Sequence, residues 1–265
     1  MARIFAITNQ KGGVGKTTTC VNLAASLAIT KRRVLLIDLD PQGNATMGCG
    51  VDKHDVPLSA CDVLLGEASV AEAVVKTEIE NLAVIPSNSD LTAAEVALMN
   101  TEGRERRLSD ALSVESDNYD YVLIDCPPSL NMLTLNALTA AQGVIIPMQC
   151  EYYALEGLSA LVETIEQLRA SVNPELEIEG LLRTMFDPRN RLANDVSTQL
   201  NTHFGDKVYR TLIPRNIRLA EAPSHGLPVI MYDKSSRGAV AYLALAGEIL
   251  RREEQQQQVV AEATG

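Results

Sequence analysis

The chain has 265 residues, of which 46% are hydrophobic and 22% charged, and its formal net charge is -11. This length supports one full α/β core and is short for two domains, and the acidic balance by itself argues against a nucleic-acid partner. The five cysteines include no CxxC pair, which disfavours a disulfide framework or a zinc site. The early residues turn polar too soon for a signal peptide and no apolar run could span a membrane, so a cytoplasmic protein is expected.

Short apolar segments alternate with longer helical ones along the chain. This alternation predicts an α/β fold, a single doubly wound and mostly parallel sheet, in one domain over residues 1–252. The glutamine-rich residues 253–265 are predicted to form a flexible tail. Strands are predicted at residues 4–8, 34–38, 82–86, 121–125, 143–148, 178–184 and 209–213, and helices at 16–28, 131–140, 155–171, 194–204 and 239–252.

A glycine-rich segment, QKGGVGKTT at residues 10–18, joins the first predicted strand to the first predicted helix. In that context backbone N–H groups and the helix N-terminus can surround phosphate oxygens. Lys16 would reach the β- and γ-phosphates and the Thr17 hydroxyl would bind Mg²⁺; a glycine-rich turn without a ligand is the alternative. The predicted nucleotide-binding residues are Lys11, Gly12, Gly13, Val14, Gly15, Lys16, Thr17 and Thr18.

The loop departs from the usual phosphate-loop pattern, because Gln10 replaces its first glycine and Lys11 follows. The string KGGVGKTT resembles the deviant Walker A motif of the ParA/MinD ATPases, and the resemblance extends to about residue 250. It implies the P-loop NTPase fold, ATP and Mg²⁺ as cofactors, and a homodimer in the ATP state. In that family the lysine matching Lys11 reaches across the dimer interface to the partner's nucleotide, so Lys11 and Lys16 are both candidate catalytic residues.

Two apolar segments end in carboxylates, at the edge where parallel sheets bind ligands. Asp38 and Asp40 follow residues 34–37, and a pair that caps a loop is the alternative reading. Asp125 follows residues 121–124 in the Walker B form, and Pro127 and the proline after it disfavour a simple helix cap. The family resemblance assigns Asp38 to the magnesium shell and Asp40 to positioning the attacking water. Asp125 would hold Mg²⁺ through water.

The predictions of the nucleotide base and of a DNA partner rest mainly on the family resemblance. The Asn/Thr-Lys-x-Asp pattern of guanine-specific relatives is absent, which points to ATP. Residues 212–216 resemble the family's adenine loop, which implies that Pro214 packs on the base and that Asn216 hydrogen-bonds it; a plain strand-to-helix turn is the alternative. Residues 183–218 carry a net charge of +4, and the resemblance places Arg189 and Arg218 on DNA phosphates. Because no motif here reads bases, non-specific double-stranded DNA is the expected partner; a solvated basic surface is the alternative.

Within the family, residues 41–46, PQGNAT, match the ParA/Soj partition ATPases best. That resemblance implies that an ATP-bound dimer binds DNA on the nucleoid, and that a ParB-type centromere-binding partner stimulates hydrolysis and release, segregating a chromosome or plasmid. A MinD-like membrane-associated division regulator is the main alternative. It is disfavoured because Arg251-Arg252-Glu253-Glu254 and the glutamines after them offer no apolar face to a membrane. A P-loop small-molecule kinase or metabolic ATPase is the alternative from another class.

Overall fold

The structure is a computed structural model that describes residues 2–264, and the side chains of these residues except Ser116 and 259–264. Within that range the strands are β1 (Arg3–Ile7), β2 (Val34–Asp38), β3 (Val75–Lys76), β4 (Leu82–Ile85), β5 (Tyr121–Asp125), β6 (Gly143–Gln149), β7 (Glu177–Phe186) and β8 (Val208–Pro214). The helices are α1 (Lys16–Ile29), α2 (Asn44–Gly48), α3 (Ala60–Leu65), α4 (Val70–Ala73), α5 (Leu91–Leu98), α6 (Arg107–Glu115), α7 (Met132–Ala140), α8 (Ala154–Ser171), α9 (Arg191–Phe204), α10 (Ile217–Glu221), α11 (Val229–Tyr232) and α12 (Arg237–Thr264). Short 3₁₀ helices cover Arg104–Arg106, Ser116–Asn118, Gly205–Lys207 and Ala222–His225.

The strands form one sheet in the order β3-β4-β2-β5-β1-β6-β7-β8. Its pairs are parallel except β3 with β4. The prediction of a doubly wound, mostly parallel sheet is therefore confirmed. Strand β3 was missed because a two-residue strand is too short to show any periodicity.

Helices cover both faces of the sheet. Strands β2 and β5 are buried at every residue, which explains why their sequences are apolar until the final aspartate. Helices α1 and α12 pack on one face, and α7, α8 and α9 pack on the other. In the part of the chain that the structure describes, no helix combines the length and apolarity needed to cross a bilayer.

The last helix continues past the predicted domain boundary at residue 252. Glu253 accepts a hydrogen bond from the Tyr121 hydroxyl and lies 3.5 Å from the Arg3 guanidinium. Glu253 therefore belongs to the packed domain and not to a tail. The helix continues past residue 252, and this brings Glu253 to the amino end of the sheet. A flexible tail beyond that residue stays a prediction.

Helix α12 also closes one edge of the sheet. Strand β8 is an edge strand, and the backbone N–H groups of Arg210 and Thr211 donate to the Glu248 carboxylate at 2.8 and 2.9 Å. Arg252 donates to Glu248 at 2.9 Å and to the Val208 carbonyl at 3.2 Å. Side chains of α12 thus bind backbone groups that an edge strand would otherwise offer to another chain.

Glu248→Ala should destabilise the fold by about 2–4 kcal/mol, because two backbone N–H groups and a guanidinium lose their acceptor at a buried position. Urea unfolding of the nucleotide-free protein measures this. Glu163→Ala, at an exposed position on α8, is the control and should change stability by less than about 0.5 kcal/mol. Equal unfolding midpoints for the two variants would show that Glu248 does not hold the edge.

Candidate functional site

The glycine-rich loop runs from the end of β1 to the start of α1. Gly13 (φ 72°) and Gly15 (φ 88°) are in the left-handed region, which non-glycine residues rarely adopt. Gly15 is the N-cap of α1, so the first N–H groups of that helix face the loop. A Cβ atom added at Gly12 would meet nothing within 4 Å, so the loop is open on that side.

Side chains from distant strands hold the loop in place. The Thr184 hydroxyl donates to the Val14 carbonyl at 2.7 Å, and the Gln149 amide donates to the Gly13 carbonyl at 3.0 Å. These residues lie on β6 and β7, and sequence reasoning missed them because no local pattern links them to the loop. Asn9, which donates to the Pro147 carbonyl at 2.8 Å and accepts from the Lys11 N–H at 3.0 Å, was also missed. Its position just before the loop was the available signal.

The two lysines of the loop have different surroundings. Lys16 is buried, with its ammonium 3.3 Å from the Lys11 carbonyl. Burial lowers the pKa of Lys16, against the opposing effect of the nearby Asp125 carboxylate. Lys11 is exposed, and its ammonium lies 2.5 Å from a Glu151 carboxylate oxygen of the same chain. Contact of Lys11 with a second protomer would therefore replace the contact with Glu151.

Asp38 and Asp125 are register partners at the ends of β2 and β5, and both are completely buried. Asp38 accepts hydrogen bonds from the Thr46 N–H and hydroxyl, both at 2.8 Å, and from the Asp40 N–H at 3.1 Å. Neither Asp125 oxygen has a hydrogen bond of normal geometry within the described residues. The adjacent Thr17 hydroxyl nevertheless acts to lower the pKa of Asp125. Burial raises the pKa of Asp38 to about 6, and burial followed by the Asp38 charge raises that of Asp125.

This pair of carboxylates fits a divalent cation. Among the described residues the buried Asp125 carboxylate has no hydrogen bond of normal geometry and lies beside the Thr17 hydroxyl, and both groups offer the oxygen ligands that Mg²⁺ prefers. Asp125 and Thr17 could bind the ion directly or through water. Asp38 lies next to them with its oxygens partly used by Thr46, so its predicted place in the magnesium shell stays a prediction.

Asp40 begins a segment that is fixed at the end of β4. Its carboxylate accepts from the Gln42 N–H at 3.0 Å, and its carbonyl accepts from the Ser87 hydroxyl at 2.6 Å. Ser87 also donates its N–H to the Thr46 hydroxyl at 2.9 Å. A Cβ atom at Gly43 would lie 2.6 Å from the Ser87 carbonyl, so this approach requires glycine. The half-buried Asp40 carboxylate is thereby held near the loop, where it could orient water.

The candidate adenine residues lie at the end of β8. Pro214 ends the strand, and the Asn216 side chain accepts from the Arg218 N–H at 2.9 Å as the N-cap of α10. The predicted strand-to-helix turn is therefore present. The Asn216 cap uses its carbonyl oxygen and leaves its NH₂ group for a further acceptor. Contact with a base stays a prediction.

The basic segment is less uniform than its charge suggested. The Arg189 side chain is 89% exposed and pairs with Asp187, and Arg218 pairs with Glu221 at 2.8 Å. Arg183, counted in that segment, is buried and donates to the Ser197 hydroxyl and the Tyr209 carbonyl. It adds nothing to the surface, because it points from β7 into the face covered by α9. Outside the segment, Arg237 at the start of α12 lies close enough to Asp187 to lower its pKa.

Comparison with known proteins agrees with this geometry. The AAA domain family matches residues 2–178. The sporulation initiation inhibitor protein Soj of Bacillus subtilis is 55% identical over 94% of this chain and 98% of its own length. The chromosome partitioning protein ParA of Caulobacter vibrioides is 54% identical over 96% of each chain.

A solved structure is also similar over nearly the full length. The cobyrinic acid a,c-diamide synthase of Mycobacterium smegmatis, crystallised with ADP and magnesium, is 40% identical over 96% of each chain, with a TM-score of 0.84. Its ligands are of the kind expected here from the sequence, ATP with Mg²⁺. Because Soj and ParA share more than half of their residues with this chain over almost its whole length, the chain belongs to the ParA/Soj family of chromosome-partitioning ATPases.

Proposed function

We propose that this chain hydrolyses ATP with Mg²⁺, that its ATP-bound form is a dimer which binds double-stranded DNA without sequence preference, and that a ParB-type partner stimulates hydrolysis and release. The result would be segregation of a chromosome or plasmid from a cytoplasmic, nucleoid-associated position. The observation that carries the proposal is the buried Asp125 carboxylate, which has no hydrogen bond of normal geometry among the described residues and lies beside Thr17 and Lys16 at an open phosphate loop.

Each group at the loop has a chemical role in this proposal. The N–H groups of the loop and of the α1 N-terminus bind phosphate oxygens, and Lys16 neutralises the β- and γ-phosphates. Mg²⁺, when bound by Thr17 and Asp125 with Asp38 beside them, supplies charge neutralisation to the phosphates. Asp40 orients the attacking water, while Pro214 and Asn216 bind the adenine. These groups position substrates rather than make covalent bonds.

The open side of the loop supports the proposed dimer. A second protomer facing Gly12 would bring its own nucleotide towards Lys11, which would leave Glu151 for the partner's phosphates. The described side chains at residues 251–258 of α12 are arginine, glutamate and glutamine, which favours DNA over a membrane as the partner.

A metabolic ATPase would instead need a pocket for an acceptor, and ATP turnover with and without DNA separates the two functions.

Two substitutions test the role of the phosphate loop. Lys16→Ala should weaken ATP binding by about tenfold to 100-fold, because the phosphates lose a charged donor. Gly12→Val should change ATP affinity less than about threefold and should block dimerisation, because its side chain meets nothing within its own protomer but would meet the partner. A fluorescent ATP analogue and light scattering report the two effects. ATP-dependent dimers of Gly12→Val would show that this glycine lies away from the interface.

The second prediction concerns the chemical step. Asp40→Ala should bind ATP and dimerise, but phosphate release should fall about 100-fold or more, because the attacking water loses its orienting acceptor. The variant should therefore remain on DNA. Asp55→Ala, an exposed carboxylate nearby in the chain, is the matched control and should keep wild-type turnover. Normal phosphate release by Asp40→Ala would remove Asp40 from the mechanism.

The third prediction concerns DNA. Affinity should require ATP, because pairing two protomers makes the second surface contact intramolecular. If Arg189 and Arg218 of both protomers meet phosphates and cation release from DNA is the only ion exchange, the log–log salt slope should be roughly -4. Binding should vary little among duplex sequences. All three properties can be measured by fluorescence anisotropy.

Arg189→Glu combined with Arg218→Glu should abolish DNA binding and keep ATP-dependent dimerisation. The matched control reverses the charges of Arg106 and Arg169 by the same change to Glu. These two residues are exposed and lie away from Arg189 and Arg218, so the control should keep most of the DNA affinity. Tight binding by the nucleotide-free protein, or full binding by the first double variant, would contradict a DNA contact at Arg189 and Arg218.

A further inference from the structure

Each arginine that the proposed function places on DNA is already bound to a carboxylate of its own chain. We call Arg189, Arg218 and the neighbouring Arg237 the arginine surface. The carboxylates that face it are Asp187, Glu221 and Asp233. The net charge of the segment therefore overstates the positive charge that a phosphate would meet there.

The Arg189–Asp187 pair uses two donors on one edge of the guanidinium, Nε and Nη2. Nε donates to Oδ1 at 3.0 Å and Nη2 donates to Oδ2 at 2.8 Å, while the Arg189 backbone N–H also donates to Oδ1 at 3.0 Å. Hydrogen bonds from Arg189 hold the pKa of Asp187 at about 2, and Arg237 acts in the same direction. Asp187 is therefore ionised at physiological pH. It occupies the Nε–Nη2 edge of Arg189, and its negative charge opposes a phosphate that approaches the other edge.

Arg218 is held from two directions. Nη1 donates to Glu221 Oε2 at 2.8 Å, and Nε lies 3.4 Å from Asp233 Oδ2. The Ser235 N–H and hydroxyl bind the other Asp233 oxygen at 3.1 and 2.8 Å. The Tyr232 hydroxyl lies 3.4 Å from Glu221. Asp233 and Glu221 thus have anchors of their own and stay in place when Arg218 turns towards another anion.

We propose that Asp187, Glu221 and Asp233 compete with DNA phosphates for the arginine surface, and that this competition helps to restrict DNA binding to the dimer. The inference rests on the proposed function, because it concerns regulation of the same DNA contact. A phosphate that takes the paired edge of an arginine must break an ion pair, and a phosphate on the other edge still approaches the carboxylate. An exposed pair of this kind changes an equilibrium by about threefold.

The dimer meets this penalty better than one protomer does. Binding to DNA loses translational freedom once for each particle. In the dimer four arginine contacts offset this loss, whereas in the monomer two contacts offset it. Salt dependence reports the same exchange. A carboxylate that loses its arginine attracts a cation from solution, which offsets part of the cation release from DNA. The competition therefore makes the wild-type salt slope shallower than the slope of a protein without these carboxylates.

The test combines Asp187→Asn, Glu221→Gln and Asp233→Asn, which keep side-chain shape and the acceptor for Ser235. With ATP, DNA affinity measured by anisotropy should rise about tenfold or more, since up to six ion pairs, three in each protomer, no longer need to break. The salt slope should become steeper, and DNA binding should become measurable in ADP. Dimerisation and ATP turnover without DNA should match wild type, which checks that the variant is folded.

The matched control combines Glu163→Gln, Glu166→Gln and Glu175→Gln, which change the net charge equally at exposed positions on and just after α8. Screening over about 10 Å at 0.1 M salt should limit its effect to less than about twofold. An equal gain in the control would show that net charge alone is responsible. A loss of affinity in the test variant would show that the carboxylates position the arginines. Either result overturns the competition.

Wild-type protein with ATP separates the two proposals. If it binds DNA and the triple variant gains nothing, the competition fails while the proposed function stands. If it binds no DNA with ATP, the proposed function fails and the competition fails with it.

Discussion

Charge buried at the carboxyl ends of two central strands is the constraint on which the rest of this site depends. Asp38 and Asp125 lie side by side and completely buried, burial raises the pKa of both, and the Asp38 charge further raises that of Asp125. Lys16 is a buried cation near them. Such an arrangement is costly unless positive charge or hydrogen bonds compensate it. Asp38 receives hydrogen bonds from the segment that begins at Asp40, whereas within the described part of the chain Asp125 has the nearby Thr17 hydroxyl and no hydrogen bond of normal geometry. The sheet thereby holds carboxylate oxygens in position for a cation. The free-energy cost of burying these carboxylates arises on folding, before any ligand binds.

The outer surface near the site follows a different rule, because Lys11, Arg189 and Arg218 are exposed and each is paired with carboxylates of its own chain. Lys11 with Glu151, and Arg189 with Asp187, are pairs between exposed side chains of one chain. Pairs of this kind are weak and exchange readily. Each cation can therefore pass from its own carboxylate to an outside phosphate at a small cost. This would also reconcile an acidic protein with the proposed DNA partner, since affinity would then depend on the number of simultaneous contacts more than on net charge.

Helix α12 links the candidate DNA contact to the body of the domain. Its first residue is Arg237, and three turns later Glu248 binds the backbone of edge strand β8. Tyr242 packs in the core between these points and its hydroxyl lies 3.1 Å from that of Thr19, on the helix that begins at the phosphate loop. One rigid element thus carries part of the arginine surface, seals the sheet and contacts the loop helix, so these features keep fixed relative positions.

The sequence by itself determined the sheet class, the phosphate loop and the aspartates that end β2 and β5, because burial on both faces and the turn into α1 leave local patterns of apolar residues and glycine. Only the tertiary structure decided that, among the residues it describes, Asp38 rather than Asp125 has hydrogen bonds of normal geometry. It likewise decided that Thr184 and Gln149 hold the loop and that Arg183 is buried. It also decided which carboxylates face Arg189, Arg218 and Arg237. Local periodicity reports which face of an element is buried, but strand order and helix packing bring residues more than a hundred positions apart into contact, and no pattern along the chain records those meetings.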